Sequence, residues 1–192
     1  MLDRSLLAHD WWPVPLPPNV VIGERSWLYS SFAFLHYRSE QPCGLRVGHN
    51  SGLYNGTCLD LGPQGEVRIG NYCTIVGAII SSNGRVTIGD YTFVAYGVVV
   101  ADSFAAVPPL GGRTVPKGLR HHPRSAGPQS EIEIGENVWI GARATLLNGA
   151  RLGEGVIVGT ASVVNFEVPD YAIVAGNPAR VVGWARPERR QS

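Results

Sequence analysis

The feature that most limits what this chain can fold into is a six-residue spacing of aliphatic side chains. Ile134, Ile140, Leu146, Leu152, Val158 and Val164 follow one another at steps of six without a break. The same step links Val47, Leu53 and Leu59, then Ile69 and Ile75, then Ile88, Val94 and Val100, and at the start Ile22 and Leu28. A period of six suits neither the turn of an α-helix nor the alternation of a sandwich strand. It marks a parallel β-helix, in which each hexad supplies one side of a coil. A glycine follows the lead residue at Gly23, Gly48, Gly70, Gly89, Gly135, Gly141, Gly153 and Gly159. The fifth position is small or β-branched at Ser51, Thr57, Cys73, Thr92, Val98, Val138, Ala144, Ala150, Val156, Ser162 and Val168, while Phe32 and Ile79 depart from the pattern. Inward aliphatic side chains, small corner residues and glycines at the bends are what a triangular coil needs.

Three hexads make a coil of about 18 residues, and coils stack at the inter-strand spacing of about 4.8 Å. An all-β fold of about six coils is expected, with starts near Ile22, Val47, Ile69, Ile88, Ile134 and Leu152. The repeats divide the chain into an N-terminal arm (1–20), a β-helix domain (21–183) and a basic tail (184–192) with Arg186, Arg189 and Arg190. Within the domain, 102–131 leaves the helix as a long loop with five prolines, and loops of that length are commonly functional. Trp11 and Trp12 in the arm are read as a cap over the first coil, set against a pair that stacks a ligand.

Composition narrows the function. The 16 Lys+Arg and 15 Asp+Glu leave a net charge of +1, which argues against a strongly basic nucleic-acid binder. The basic residues comprise 15 arginines and one lysine, Lys117. Cys43, Cys58 and Cys73 form no CxxC pair, so they read as small core residues rather than a disulfide or zinc framework. No apolar run is long enough for a transmembrane segment, no secretory h-region is visible, and a cytoplasmic protein is expected. A narrow prism with flat valine-rich faces has a poor volume-to-surface ratio, so self-association through a face is expected.

The stretch from Ile134-Gly-Glu-Asn-Val-Trp-Ile-Gly141 through Leu147-Asn-Gly-Ala-Arg-Leu-Gly-Glu-Gly-Val-Ile-Val-Gly159 to Val168-Pro169, with Gly176-Asn177-Pro178-Ala179-Arg180 beyond it, resembles the hexapeptide-repeat acyltransferases. It is most similar to their sugar O-acetyltransferase group, which includes the maltose and galactoside acetyltransferases. The similarity is specific over about 69–183. The resemblance implies a left-handed parallel β-helix, a homotrimer, acetyl-CoA as acyl donor in the groove between prisms, no metal, and a sugar or glycan acceptor. It also implies a loop histidine as general base, because an alcohol attacks a thioester well only when a positioned base accepts its proton.

That histidine is absent from its expected place, where Ala105 or Ala106 stands. His121 and His122, farther along the same loop, are the candidate replacements, set against a pair that is simply solvated; Asp102 is a candidate to orient the imidazole or a turn residue opening the loop. On the donor side the resemblance assigns Trp139, Ala142 and Thr160 to the pantetheine arm. Where relatives carry Thr-Lys toward the CoA phosphates this chain has Asn165-Phe166, with Arg180 as a candidate substitute for the lysine. His36 and His49 are read as structural, and Tyr54 and Tyr96 as outward residues available to an acceptor. Two further readings stand beside the enzyme. One is a β-helical binding or scaffold protein that has lost the chemistry with its histidine. The other is a zinc enzyme of the γ-carbonic-anhydrase type, whose histidine spacing the five histidines do not reproduce.

Overall fold

The computed structural model describes residues 6–12, 14–102 and 131–185. The first coil consists of β1 (Val20–Ile22), β2 (Trp27–Leu28) and a 3-10 helix over Ser31–Phe34. Five complete coils follow. They are β3 (Leu45–Val47), β4 (Gly52–Leu53) and β5 (Cys58–Leu61); β6 (Glu66–Ile69), β7 (Thr74–Ile75) and β8 (Ile79–Ser82); and β9 (Arg85–Ile88), β10 (Phe93–Val94) and β11 (Val99–Ala101). From residue 131 come β12 (Glu131–Ile134), β13 (Trp139–Ile140) and β14 (Thr145–Leu147), then β15 (Arg151–Leu152), β16 (Ile157–Val158) and β17 (Val163–Val164). A partial last coil, β18 (Glu167–Val168) and β19 (Ala172–Gly176), ends in β20 (Ala179–Trp184).

Each strand pairs with its counterpart one coil away, giving parallel faces of β1-β3-β6-β9-β12-β15-β18, of β2-β4-β7-β10-β13-β16-β19 and of β5-β8-β11-β14-β17. Among the described residues only β20 runs antiparallel, folding back on β19. The fold is a left-handed parallel β-helix, and all six coil starts read from the sequence hold, with a seventh, partial coil opening at β18. The hexad leads from Leu28 onward are buried, and Leu53, Leu59, Ile75, Ile140 and Leu146 are at most 1% exposed. Each such side chain contributes roughly 1.5–3 kcal/mol of hydrophobic stabilisation.

Two register details depart from the hexad reading. Ile80, not residue 81, pairs with Leu59 and Val100, so the step from Ile75 is five. The bend at Val76-Gly77 is one residue shorter than Ala95-Tyr96-Gly97; Ala78 therefore takes the buried corner and Ile79 is turned outward. Val168 pairs with Leu152 and so occupies a lead position rather than a fifth one, four residues after Val164. Phe32 breaks the pattern because the 3-10 helix replaces the third side of the first coil. The first face also buries a second column, Leu45, Val67, Val86 and Ile132, two residues before each lead.

The outer surfaces differ sharply. On the first face most outward residues are charged, with Arg68–Glu66, Arg85–Glu66, Arg85–Glu131, Arg151–Glu131 and Arg151–Glu133 pairs climbing the coils. The third face instead aligns Cys58, Ile79, Val99, Thr145 and Val163 outward. The second aligns Phe93, Trp139, Ile157 and Ile173. Charge suits water on the first face, whereas the apolar columns are surfaces fit to be covered.

The arm caps the first coil, as expected for Trp11 and Trp12, which pack on Phe32 with ring centroids 5.3 and 5.5 Å away. The Asp10 carboxylate accepts hydrogen bonds from Ser30 Oγ, the Ser31 N–H and the Trp12 N–H. His9 stacks on Trp27 and bonds the Leu28 carbonyl through Nε2 at 2.8 Å.

Candidate functional site

The bend between the second and third faces recurs in every complete coil. It comprises Tyr54-Asn55-Gly56, Val76-Gly77, Ala95-Tyr96-Gly97, Ala142-Arg143 and Thr160-Ala161. Backbone hydrogen bonds stack these bends: the Gly97 N–H on the Gly77 carbonyl at 3.0 Å, Arg143 on Tyr96 at 3.0 Å, and Ala161 on Ala142 at 2.9 Å. The pivot residue of each lies in the left-handed region, Gly56, Gly77 and Gly97 in the early coils and Arg143 and Ala161 in the later ones. The lack of side chains at the three glycines leaves a shallow trough. Tyr96, 64% exposed, lays its ring along it over Gly77.

Three residues assigned to the acyl donor meet at the upper end of this corner. Ala142 and Thr160 occupy consecutive bends, and Trp139, 55% exposed, stands on the adjoining second face with its ring 4.7 Å from Phe93. Arg180 joins them. It pairs with Ala175 in the β19–β20 hairpin, and the Gly176 N–H donates to Ser162 Oγ at 3.1 Å, which seats the hairpin over the same corner. Arg180 is exposed and has no ion-pair partner among the described residues.

Asn165, Phe166 and Asp102 lie elsewhere in the protomer, at the corner between the third and first faces. Asn165 is exposed; Phe166 is half-buried against the core, and its carbonyl accepts the Arg151 N–H. Asp102 is 6% exposed, and its Oδ2 accepts from Ser82 Oγ at 2.7 Å and from the N–H groups of Asn83 and Gly84 at 2.9 and 2.8 Å. It thus ties the bend of the preceding coil at the point where the long loop departs. His121 and His122, like Ala105 and Ala106, fall outside the described residues. His36 is exposed beside the 3-10 helix, and His49 packs edge-on to Tyr72 with its Nδ1 2.7 Å from Asn50 Nδ2. Among the described residues no three His, Cys, Asp or Glu side chains gather as a metal-holding group, and no helix is long and apolar enough to cross a membrane.

Sequence reasoning overlooked a cavity of about 190 Å³ at the lower end of the same corner, bordered by Trp11, Tyr29, Phe32, Tyr54, Asn55 and Thr57. The available signal was the recurrence of Gly56, Gly77 and Gly97 two or three residues after a lead, which marks where backbone is left bare.

Fold and corner together define a hexapeptide-repeat β-helix protein. Comparison with known proteins adds that residues 131–165 match the family described as bacterial transferase hexapeptide (six repeats). WbbJ of Escherichia coli (strain K12), named for lipopolysaccharide biosynthesis O-acetyl transfer, is 36% identical over 107 residues, 54% of this chain and 52% of WbbJ. A chloramphenicol acetyltransferase of Agrobacterium fabrum is 42% identical over 55 residues, 29% of this chain and 26% of that protein. The chain thus matches about half or less of the length of these relatives. Among solved structures, AntD, an N-acyltransferase from Bacillus cereus in complex with dTDP and 3-hydroxybutyryl-CoA, superposes with a TM-score of 0.59 at 22% identity, covering 88% of this chain and 81% of AntD. The hexapeptide-repeat acetyltransferase VCA0836 of Vibrio cholerae, complexed with acetyl coenzyme A, gives 0.57 at 23% identity, covering 75% of this chain and 72% of that one. At these identities the likeness is one of fold.

Proposed function

We propose that the chain is a CoA-dependent acyltransferase that O-acetylates a sugar or glycan precursor, acting as a homotrimer with acetyl-CoA as donor. The observation that carries this reading is the convergence of Trp139, Ala142, Thr160 and Arg180 on one exposed corner. The name of WbbJ and the coenzyme bound to VCA0836 and AntD support the same chemistry.

The trimer explains why the remaining candidates lie apart. A three-fold ring of prisms that turns the apolar third face to its axis brings the second–third corner of one protomer against the third–first corner of the next. Ala142, Thr160 and Arg180 then face the neighbour's Asn165, Phe166 and Asp102. Covering Ile79, Val99 and Val163 supplies the driving force.

In the reaction the acceptor hydroxyl oxygen attacks the thioester carbonyl carbon while its proton passes to the imidazole of His121 or His122. Collapse of the tetrahedral intermediate breaks the carbon–sulfur bond, and the proton goes to the departing thiolate. Backbone N–H groups in the cleft stabilise the oxyanion, and Arg180 offers a fork of donors to the CoA phosphates. Asp102, fixed against the Ser82–Gly84 bend of the coil below, is the candidate to orient the base.

Calorimetric titration with acetyl-CoA, followed by a thiol-release assay over a panel of sugars, tests the reading. Binding below millimolar concentration and sugar-dependent thiol release are expected; no binding at millimolar acetyl-CoA overturns it. A His121→Ala/His122→Ala double variant with undiminished turnover removes the base from this loop pair. The non-catalytic scaffold reading rests on Ala105 and Ala106, and predicts cofactor binding without thiol release for any sugar.

A further inference from the structure

The cavity at the lower end of the second–third corner has a composition that specifies its occupant. Its walls carry four aromatic rings, Trp11, Tyr29, Phe32 and Tyr54, and no Asp, Glu, Lys, Arg or His lines it among the described residues. Cys58, also on the wall, is kept neutral: burial pushes its thiol up, and the nearby Asp60 charge adds to the effect. Phosphate and carboxylate groups would therefore enter without a counter-charge. At about 190 Å³ the cavity is smaller than the clefts of roughly 300–1,000 Å³ that hold drug-sized ligands, and it suits a single ring.

The polar groups at the rim are few and unequal. Ser30 Oγ is occupied by Asp10 and by the Phe32 N–H, and Thr57 Oγ1 faces the Ile75 carbonyl at 3.4 Å. Asn55 is exposed, and its carboxamide has no hydrogen-bond partner among the described residues. An uncharged ring with C–H faces for the aromatic walls and hydroxyls for one carboxamide is a neutral pyranose.

Position adds the second argument. Asn55-Gly56 belongs to the same column of bends as Ala142, three coils above, a rise of about 14 Å at the ~4.8 Å strand spacing. Between the two ends the Tyr96 ring covers Gly77 and floors the trough. We propose that the arm-walled cavity is the acceptor subsite, holding one neutral pyranose ring against Trp11 and Tyr54 with Asn55 bonded to a ring hydroxyl. It presents a hydroxyl along the trough toward the donor. The arm thereby becomes part of the substrate site in addition to capping the first coil. The assignment rests on the acyltransferase reading for its role as an acceptor site, but not for the binding itself.

The test is saturation-transfer-difference NMR of the full chain with methyl β-D-glucopyranoside, methyl β-D-galactopyranoside and methyl N-acetyl-β-D-glucosaminide, with acetyl-CoA binding measured in parallel. At least one glycoside is expected to receive saturation from aromatic protons, with affinity lowered tenfold or more by Asn55→Ala and by Trp11→Ala. Acetyl-CoA affinity should be unchanged in both variants, and Asn55→Ala lies on an exposed bend that keeps the fold. Inorganic phosphate at equal concentration should not displace the glycoside. No glycoside signal, a signal indifferent to both variants, or displacement by phosphate or thymidine diphosphate would overturn the assignment. Glycoside binding in the cavity without any acetyl-CoA binding would sink the acyltransferase reading while leaving the sugar site standing.

Discussion

The ring of Tyr96 lies on Gly77, so closely that a Cβ at residue 77 would sit 2.3 Å from Tyr96 Cδ2. Gly77 also has φ +58°, in the left-handed region that side chains disfavour by about 1–2 kcal/mol. Gly77→Ala is therefore expected to destabilise the coil and to lift the tyrosine out of the trough. In a Tyr96→Ala background the backbone cost and a 3.2 Å approach to the Asn55 carbonyl oxygen remain but the ring clash is gone, so a double-mutant cycle by urea unfolding should give a coupling of about 0.5–2 kcal/mol. A zero coupling would mean that the ring does not rest on the glycine in solution.

Asp102 provides the second prediction. Its Oδ2 serves a hydroxyl and two backbone N–H groups of the coil below. Asp102→Ala takes the acceptor from Ser82 Oγ and the Asn83 N–H, while the Gly84 N–H keeps Ser82 Oγ at 3.0 Å, and should cost roughly 1–3 kcal/mol, read as a lower thermal midpoint. A residue acting only on an imidazole would reduce kcat with the midpoint unchanged.

The arm should respond to acid. Burial alone would push the Asp10 carboxyl up, but hydrogen bonds from Ser31, Trp12 and Ser30 outweigh it and hold the group well below the usual carboxylate range. A depressed native value means that the stabilisation is fully present above the ordinary aspartate value near ~4 and is lost as pH falls through the native one. Tryptophan fluorescence followed from pH 7 into acid should report release of Trp11 and Trp12 from Phe32. Asp10→Asn should loosen the arm already at pH 7 and abolish that acid-dependent step.

The outer faces make opposite predictions for assembly. If the proposed homotrimer packs on the third face, Ile79→Arg or Val163→Arg should dissociate it in sedimentation velocity, because each would place an unpaired charge in a dry interface. Arg46→Glu on the first face should leave it intact, since Arg46 is exposed and makes no ion pair among the described residues. Sedimentation that is monomeric for the wild type would remove the homotrimer.

The core was legible in the chain itself. A hexad states its inward residue, its corner and its bend within six consecutive positions, so Leu53, Ile140 and Leu146 could be placed inside and Ala144 at a corner with no knowledge of neighbours. Other features depend on contacts across coils. That Ile80 rather than residue 81 completes the stack, and that Val168 sits on Leu152, follows from strand pairing between segments some twenty residues apart, where a short bend is absorbed to keep the aliphatic column in register. The grouping of Trp139, Ala142, Thr160 and Arg180 away from Asn165 and Phe166, and the joining of Trp11 to Tyr54 around one cavity, were likewise decided only by the folded prism. The physical reason is range: burial in each coil is written locally and repeated, whereas a site is made where distant bends and a returning arm meet, and no local period encodes that meeting.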